Sequence, residues 1–306
     1  MPAPLDLRVT EHRNPRTAAI DVASPLEIVD LISAEDRTVA DAVASQREPI
    51  ARAMVVAEES LRNGGRVFYV GAGTSGRLGV LDASEIPPTF GASPELFQGI
   101  IAGGMAALTR AQEGAEDRPS SARDDLDQAG LRAVDFVIGI AASGTTPYVR
   151  AALEHARVVG AKTAIVACSP PPADMLAAAD IAIVAVTGPE AVTGSTRMKA
   201  GTATKLILNT ISTGVMIRLG KTYGNLMVDL QATNEKLRDR MLRIAREVCD
   251  LSEDEARSLL QRASGNLKLA IVMQKLGLEA DEAVAALQEV GGVIRRAVSD
   301  PPPPVR

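Results

Sequence analysis

Five short apolar segments, separated for the most part by stretches with helical patterning, constrain the fold of this chain more than any other feature. They span residues 66–71, 96–102, 135–142, 163–169 and 181–186. Near-continuous apolar runs of this length are typical of strands buried on both faces, and strands that alternate with helices form parallel sheets covered by helices. We therefore predict an α/β fold with a five-stranded parallel sheet, whose ligands bind beyond the carboxyl ends of the strands.

Helical patterns also lie on both sides of the sheet region. Ser24 before Pro25 is a favourable helix start, and the pattern stays helical to about Asn63. We expect a second helix from about Thr38 to Asn63, with a break near Pro49. The chain is expected to be helical throughout after Asn225, with a compact three-helix unit in residues 253–290. The predicted organisation is an N-terminal arm with helices (1–50), the sheet domain (51–225), a C-terminal helical subdomain (226–300) and a proline-rich tail (301–306).

Composition argues against several classes of protein. The chain of 306 residues has a net charge of −5, no Trp, three Tyr and four Phe, so neither a basic surface nor aromatic platforms favour nucleic-acid binding. Two cysteines and two histidines offer little for a metal site or a histidine-dependent triad. No apolar run reaches the roughly 18 residues of a membrane span. We expect a cytoplasmic protein that binds no metal, nucleic acid or membrane.

The first predicted strand ends in a glycine-rich turn, GAGTSGR at 71–77. Glycines let backbone N–H groups converge, and the following helix offers its positive end to an anion. The same glycines fit the dinucleotide pattern G-x-G-x-x-G, but the next strand ends at 101–104 without the acid that would hold a ribose. Gly73 and the hydroxyls of Thr74 and Ser75 suit a phosphosugar, although a dinucleotide or a purely structural turn stays open.

Two further turns carry hydroxyl groups. The third strand ends in Ser143, Gly144, Thr145 and Thr146, and this turn should face the same crevice as the first one. Two such turns at matching positions favour a shared anion site over simple helix caps. A third cluster, at 192–199, places Ser195, Thr196 and Lys199 at the sugar, or else is a capped helix start with solvated cations.

Two acidic segments are candidates for acid–base chemistry. Glu85 stands just before the double proline at 87–88, where we expect no continuous series of helical hydrogen bonds. Glu116 and Asp117 follow the second predicted strand. Either segment is also compatible with ordinary surface residues, and sequence spacing does not show that they meet.

Long motifs of this chain resemble the N-acetylmuramic acid 6-phosphate etherases. They are GAGTSGRLGVLDASE at 71–85, EGAED at 113–117, GIAASGTTPYV at 139–149 and TGSTRMKAGTATKLILN at 193–209, with EHRNPRT at 11–17 and GNLMVDLQATNEKL at 224–237. The resemblance covers roughly residues 8–297. Thr145 stands where Arg is common in the third-strand turn of the family, so this position contributes no positive charge here.

The resemblance implies a sugar-isomerase (SIS) domain, a homodimer, and conversion of N-acetylmuramic acid 6-phosphate to N-acetylglucosamine 6-phosphate and D-lactate without metal or redox cofactor. It implies a place in peptidoglycan recycling or in the uptake of external muramic acid. By motif match the two catalytic glutamates of the family fall on Glu85 and Glu116, and which of them is the acid stays open. A phosphosugar-binding regulator related to the glucokinase regulatory protein, and an aldose–ketose phosphate isomerase, are the alternatives.

Overall fold

The computed structural model describes residues 8–230 and 235–301. These residues form two compact units. The first runs up to Ser84 and resumes at Pro94–Ser212, and the second consists of Glu85–Ser93 and the chain from Thr213 onward. The domain boundaries expected from the sequence stay a prediction, and most of the proline-rich tail lies outside the described residues.

The first unit is built on a five-stranded sheet in which all the paired neighbours are parallel. Its strands are β1 (Val67–Gly71), β2 (Phe97–Ile101), β3 (Phe136–Ile140), β4 (Lys162–Ala167) and β5 (Ile181–Val184). Their spatial order is β2-β1-β3-β4-β5, so β1 and β3 are neighbours although β2 lies between them in the sequence. The predicted α/β sheet is confirmed, and all five strands lie within the segments identified from apolar patterning, apart from Lys162 at the start of β4.

Eight helices precede or follow these strands along the chain. They are α1 (Pro25–Asp36), α2 (Val39–Ala44), α3 (Arg47–Arg62), α4 (Gly73–Phe90), α5 (Pro119–Gln128), α6 (Pro147–Val159), α7 (Ala173–Ala177) and α8 (Lys199–Arg218). Ser24 caps α1 in a reciprocal capping box with Glu27. The expected break lies at Ser45–Gln46 instead of at Pro49. Pro49 is in the first turn of α3, where backbone N–H groups have no acceptor within the helix, so the missing N–H of proline does not interrupt the helix.

The core of the first unit holds most of the few aromatic side chains in the protein. Phe68, Phe136 and Tyr148 are completely buried, and Tyr69 is 1% exposed. Phe68 and Tyr148 share a buried cluster with Ala, Val, Ile and Leu side chains from the strands and from α5 and α6. Close packing of this kind fixes the strand ends, and therefore the turns that follow them.

Helix α4 continues through Pro87 and Pro88 to Phe90. The expectation that Glu85 lies where no continuous series of helical hydrogen bonds forms is therefore wrong. The two prolines lack only their own N–H donors, and their carbonyl groups can still accept hydrogen bonds. The carbonyl of Pro87 accepts one from the N–H of Gly91 at 2.9 Å. Glu85 thus stands on a helix, with its side chain exposed.

The second unit is mainly helical. It contains a hairpin of β6 (Thr222–Tyr223) and β7 (Leu226–Met227), followed by α9 (Glu235–Cys249), α10 (Glu253–Arg262), α11 (Leu267–Leu276), α12 (Ala280–Glu289) and α13 (Ile294–Ala297). The expectation of helix throughout after Asn225 is wrong at β7, because Gly224 adopts φ +58° in a tight turn that pairs the two strands.

The predicted three-helix unit is confirmed as α10, α11 and α12. Ser252 and Glu255 form the expected capping box at the start of α10. Residues 267–273 of α11 are all buried, as expected for a helix packed on every side by neighbours. Among the described helices, none combines the length and the apolar character that crossing a membrane requires.

Candidate active site

A cleft of about 390 Å³ opens in the first unit where β1 and β3 end. The turn after β1 contributes Gly73, Thr74 and Ser75 to its wall. The turn after β3 contributes Ser143, Thr145 and Thr146. The two hydroxyl-rich turns therefore face one crevice, as the parallel sheet requires for neighbouring strands.

The first turn is a strand-to-helix junction with tightly packed backbone. Gly73 opens α4 with φ +53°, a conformation that glycine adopts without steric cost. Among the described residues, the hydroxyls of Thr74 and Ser75 make no hydrogen bond to protein. The first turn of an 18-residue helix and two hydroxyl groups are therefore presented to the cleft, an arrangement suited to an anion.

The second turn depends on Gly144, which is buried with φ +76°. A Cβ atom here would lie 2.9 Å from Cα of Pro171, so the backbone approaches too closely for a side chain. Gly144 thus shapes the turn and does not itself line the cleft. The hydroxyls of Ser143 and Thr145 lie 2.9 Å apart, and the side chain of Thr146 does not cap α6. The hydroxyl of Thr146 and the start of α6 therefore stay available to a ligand.

Glu116 and Asp117 line the same cleft from a short 3₁₀ turn, Ala115–Asp117. Gly114, in a left-handed conformation, precedes this turn. Both carboxyl groups are exposed to solvent. The structure thus brings Glu116 together with the two hydroxyl-rich turns, which the sequence spacing alone did not establish.

Glu85 is not among the residues that line this cleft. It stands twelve residues beyond Gly73 on α4, and it groups with the second compact unit. Its assignment as a catalytic residue therefore rests on the motif match and stays a prediction.

The segment between β5 and α8 contributes Thr196 to the cleft but neither Ser195 nor Lys199. Lys199 is 1% exposed, and its ammonium group lies 2.6 Å from a carboxylate oxygen of Glu35. The backbone N–H groups of Lys199 and Ala200 donate to the carboxylate of Glu190, which caps α8. The predicted contact between Lys199 and the sugar is corrected here, because the lysine is buried in an ion pair within the protein.

A network of charges surrounds this ion pair. Glu35 also accepts two hydrogen bonds from the guanidinium of Arg16, and these bonds together with Lys199 lower the pKa of Glu35 to about 2. Burial raises the pKa of Glu190, although the two N–H groups oppose that shift. Arg16 belongs to the N-terminal arm, so the network ties the arm to the start of α8.

The N-terminal arm forms part of the cleft wall through Arg8 and Glu11. Hydrogen bonds hold the arm on the segments that follow β4 and β5. The carbonyl of Thr10 accepts from the N–H of Gly194 at 3.2 Å, and the hydroxyl of Thr17 donates to the carbonyl of Ala191 at 2.8 Å. Sequence reasoning missed Arg8 and Glu11, and the only signal for this part of the wall was the arm motif at 11–17.

Comparisons with known proteins find similarity to a family model and to solved structures. The sequence family model described as the glucokinase regulatory protein N-terminal SIS domain matches residues 49–157. A solved phosphoheptose isomerase from Francisella tularensis aligns with 64% of this chain and 100% of its own, at a TM-score of 0.49 and 17% identity.

Several relatives match nearly the whole chain. N-acetylmuramic acid 6-phosphate etherase from Parasynechococcus marenigrum (strain WH8102) is 51% identical over 289 residues, which cover 94% of this chain and 91% of the relative. The enzyme of the same name from Mycolicibacterium smegmatis (strain ATCC 700084 / mc(2)155) is 50% identical over 291 residues, with 94% and 97% covered. Because about half of all residues are identical over almost the full length, this chain belongs to the N-acetylmuramic acid 6-phosphate etherase family.

Proposed function

We propose that this protein is an N-acetylmuramic acid 6-phosphate etherase, which releases D-lactate and leaves N-acetylglucosamine 6-phosphate. The observation that carries the proposal is the meeting of Glu116 with two hydroxyl-rich turns in one cleft. Carboxyl groups supply the acid–base chemistry and the turns supply an anion site, so the cleft offers both functions that this substrate requires.

The proposed reaction avoids direct hydrolysis of an unactivated ether. When the sugar ring opens, C1 becomes an aldehyde, the proton on C2 becomes acidic, and the lactyl oxygen on C3 is β to the carbonyl. A base removes the C2 proton while lactate departs with the ether oxygen, which leaves an α,β-unsaturated aldehyde. Water then adds at C3, and a proton returns to C2. One base and one acid suffice for this sequence.

We assign the C2 proton to Glu116, which lines the cleft. Glu85 then protonates the departing lactate and later activates water. The motif match supports this second role, and exchange of the two roles is the alternative.

The phosphate is assigned to the two turns that begin α4 and α6. Hydroxyls of Thr74, Ser75, Ser143 and Thr146 and the first N–H groups of two helices surround the cleft there. Fixed donors of this kind hold the far end of the substrate, so that its reacting atoms are positioned against the carboxyl groups.

Release of D-lactate from N-acetylmuramic acid 6-phosphate tests the function directly. We expect stoichiometric D-lactate and N-acetylglucosamine 6-phosphate from the unaltered protein. Phosphosugar binding without lactate would support a regulator, and a ketose phosphate without lactate would support an isomerase.

Two variants separate the roles of the glutamates. Glu116→Gln should slow exchange of the C2 proton with solvent deuterium by about 10²- to 10⁴-fold, and Glu85→Gln should stop lactate release. Glu113→Gln is a matched control, since this glutamate is exposed on the same loop but does not line the cleft. Normal exchange in Glu116→Gln, or normal release in Glu85→Gln, would remove that residue from the mechanism.

We also propose that the protein is a homodimer. Val22, Leu26 and Val29 lie close together in the sequence, on and just before α1, and are 81%, 71% and 58% exposed. Large apolar side chains exposed in one region are typical of interfaces. Light scattering should give twice the 32.0 kDa mass of one chain, and Leu26→Asp should shift the protein toward monomer. A wild-type protein that stays monomeric would contradict the proposal. The cytoplasmic location stays a prediction.

A further inference from the structure

The proposed substrate carries two anionic groups, and this inference rests on that proposed function. One is the phosphate on C6, and the other is the carboxylate of the lactyl group on C3. The product N-acetylglucosamine 6-phosphate keeps the first and lacks the second. An enzyme that binds substrate more tightly than product therefore needs a contact that recognises the lactyl carboxylate.

The side chains that line the cleft in the described part of the chain are poorly matched to a second anion. Three of them carry carboxyl groups, namely Glu11, Glu116 and Asp117. Arg8 is the one cationic side chain in that lining. A carboxylate that enters this cleft meets like charges unless it reaches the guanidinium of Arg8.

The phosphate has other donors. The turns that begin α4 and α6 offer hydroxyl groups and the N–H groups at the starts of helices of 18 and 13 residues. Arginine, in contrast, presents a planar fork of donors whose geometry matches a carboxylate in a bidentate pair. The side chains that line the cleft thus offer the turns to the phosphate and Arg8 to the carboxylate.

The backbone of the N-terminal arm holds Arg8 at the cleft. The carbonyl of Arg8 accepts a hydrogen bond from the N–H of Glu11 at 2.9 Å, which closes a 3₁₀ turn. The neighbouring Thr10 is completely buried and is bonded to Gly194 and to the hydroxyl of Ser169. The Arg8 side chain itself is exposed, so a ligand can reach it.

From this arrangement we propose that Arg8 binds the lactyl carboxylate of the substrate and makes the cleft prefer N-acetylmuramic acid 6-phosphate to its own product. Arg8 acts in binding and specificity and takes no part in proton transfer. Loss of lactate removes its ligand, so the product is held by the phosphate contacts alone and leaves more readily.

The test compares two ligands in one variant. In Arg8→Gln, the KM for N-acetylmuramic acid 6-phosphate should rise about 10- to 100-fold, as expected for loss of a charged hydrogen-bonded pair. The inhibition constant of N-acetylglucosamine 6-phosphate should stay unchanged. Arg13→Gln is the matched control, because Arg13 is exposed on the same arm but does not line the cleft, and it should leave both constants unchanged.

Arg8→Lys keeps the charge but loses the bidentate geometry, and its KM should lie between those of the wild type and Arg8→Gln. An equal rise of both constants in Arg8→Gln would overturn the proposal by placing Arg8 at the phosphate. An unchanged KM would overturn it by removing Arg8 from binding. A wild-type protein that releases no lactate would instead refute the proposed function, so the two failures are distinguishable.

Discussion

The ammonium group of Lys199 lies 2.6 Å from a carboxylate oxygen of Glu35, with both side chains at most 2% exposed. This contact joins the start of α8 to the end of α1, and Arg16 extends it to the N-terminal arm. The arm carries Arg8 and Glu11, and the segment before α8 carries Thr196, so the ion pair supports two walls of the cleft without touching it.

Removal of Lys199 should therefore destabilise the protein more than it affects substrate contact. We expect Lys199→Met to lower the free energy of unfolding by about 3 kcal/mol, because a buried carboxylate loses one of its two cationic partners. Urea unfolding measures this loss, and Lys162→Met, at an exposed lysine, should stay within about 0.5 kcal/mol of the wild type. A large rise in KM with unchanged stability would instead place Lys199 at the substrate.

The same network predicts how stability depends on pH. Hydrogen bonds from Arg16, followed by those from Lys199, lower the pKa of Glu35 from 4.5 to about 2. A carboxyl group whose pKa is lower in the folded state stabilises the fold at pH values above its unfolded pKa. That stabilisation is lost as the pH falls through the folded pKa. For Glu35 we expect a loss of about 3 kcal/mol of unfolding free energy between roughly pH 5 and 2. The difference in unfolding free energy between the wild type and Glu35→Gln should shrink over this range. A difference that stays constant would show that Glu35 does not titrate in this window.

The turn after β3 should tolerate no side chain at Gly144. Gly144 and Gly64 have similar φ values of +76° and +74°, but a Cβ at Gly144 would lie 2.9 Å from Pro171, whereas a Cβ at Gly64 meets no atom within 4 Å. Both alanine variants bear the strain of positive φ, and Gly144→Ala also bears the clash, about 1–3 kcal/mol more. Thermal or urea unfolding of the two variants measures the difference. Equal losses would mean that the turn moves away from Pro171 at no cost.

Removal of one hydroxyl from the same turn should weaken phosphate binding. We expect Ser143→Ala to raise KM for the phosphorylated sugar about tenfold, in line with a hydrogen bond to a charged group. Ser45→Ala is a suitable control, because the exposed Ser45 hydroxyl donates to the carbonyl of Ala42, accepts from the side-chain amide of Gln46, and does not line the cleft. Unchanged KM in Ser143→Ala would exclude this hydroxyl from the phosphate site.

Much of the fold follows from local patterns. The five strands are apolar over almost their whole length, and the starts of α1 and α10 carry capping boxes, so each of these elements is encoded within a few neighbouring residues. The hairpin of β6 and β7 and the passage of α4 through two prolines were not predicted, because glycine φ values and surviving carbonyl acceptors decide them.

Site residues that belong to a single turn could be predicted from the sequence. Contacts between segments that are distant in the sequence could not. Parallel strand order brings Thr74 and Ser143 to one edge of the sheet, which sequence reasoning anticipated. The partner of Lys199 is Glu35, 164 residues away, and nothing in the local sequence of either residue indicates that contact. The place of Arg8 in the wall likewise depends on long-range hydrogen bonds of the arm.

Turnover in water labelled with ¹⁸O tests the central claim most directly. Elimination followed by hydration breaks the bond between C3 and the ether oxygen, so mass spectrometry should find the label on C3 of N-acetylglucosamine 6-phosphate, while D-lactate keeps the unlabelled ether oxygen. Label in the hydroxyl of lactate, with no label on C3 of the sugar, would show cleavage on the lactyl side and would contradict the mechanism built on Glu116 and Glu85.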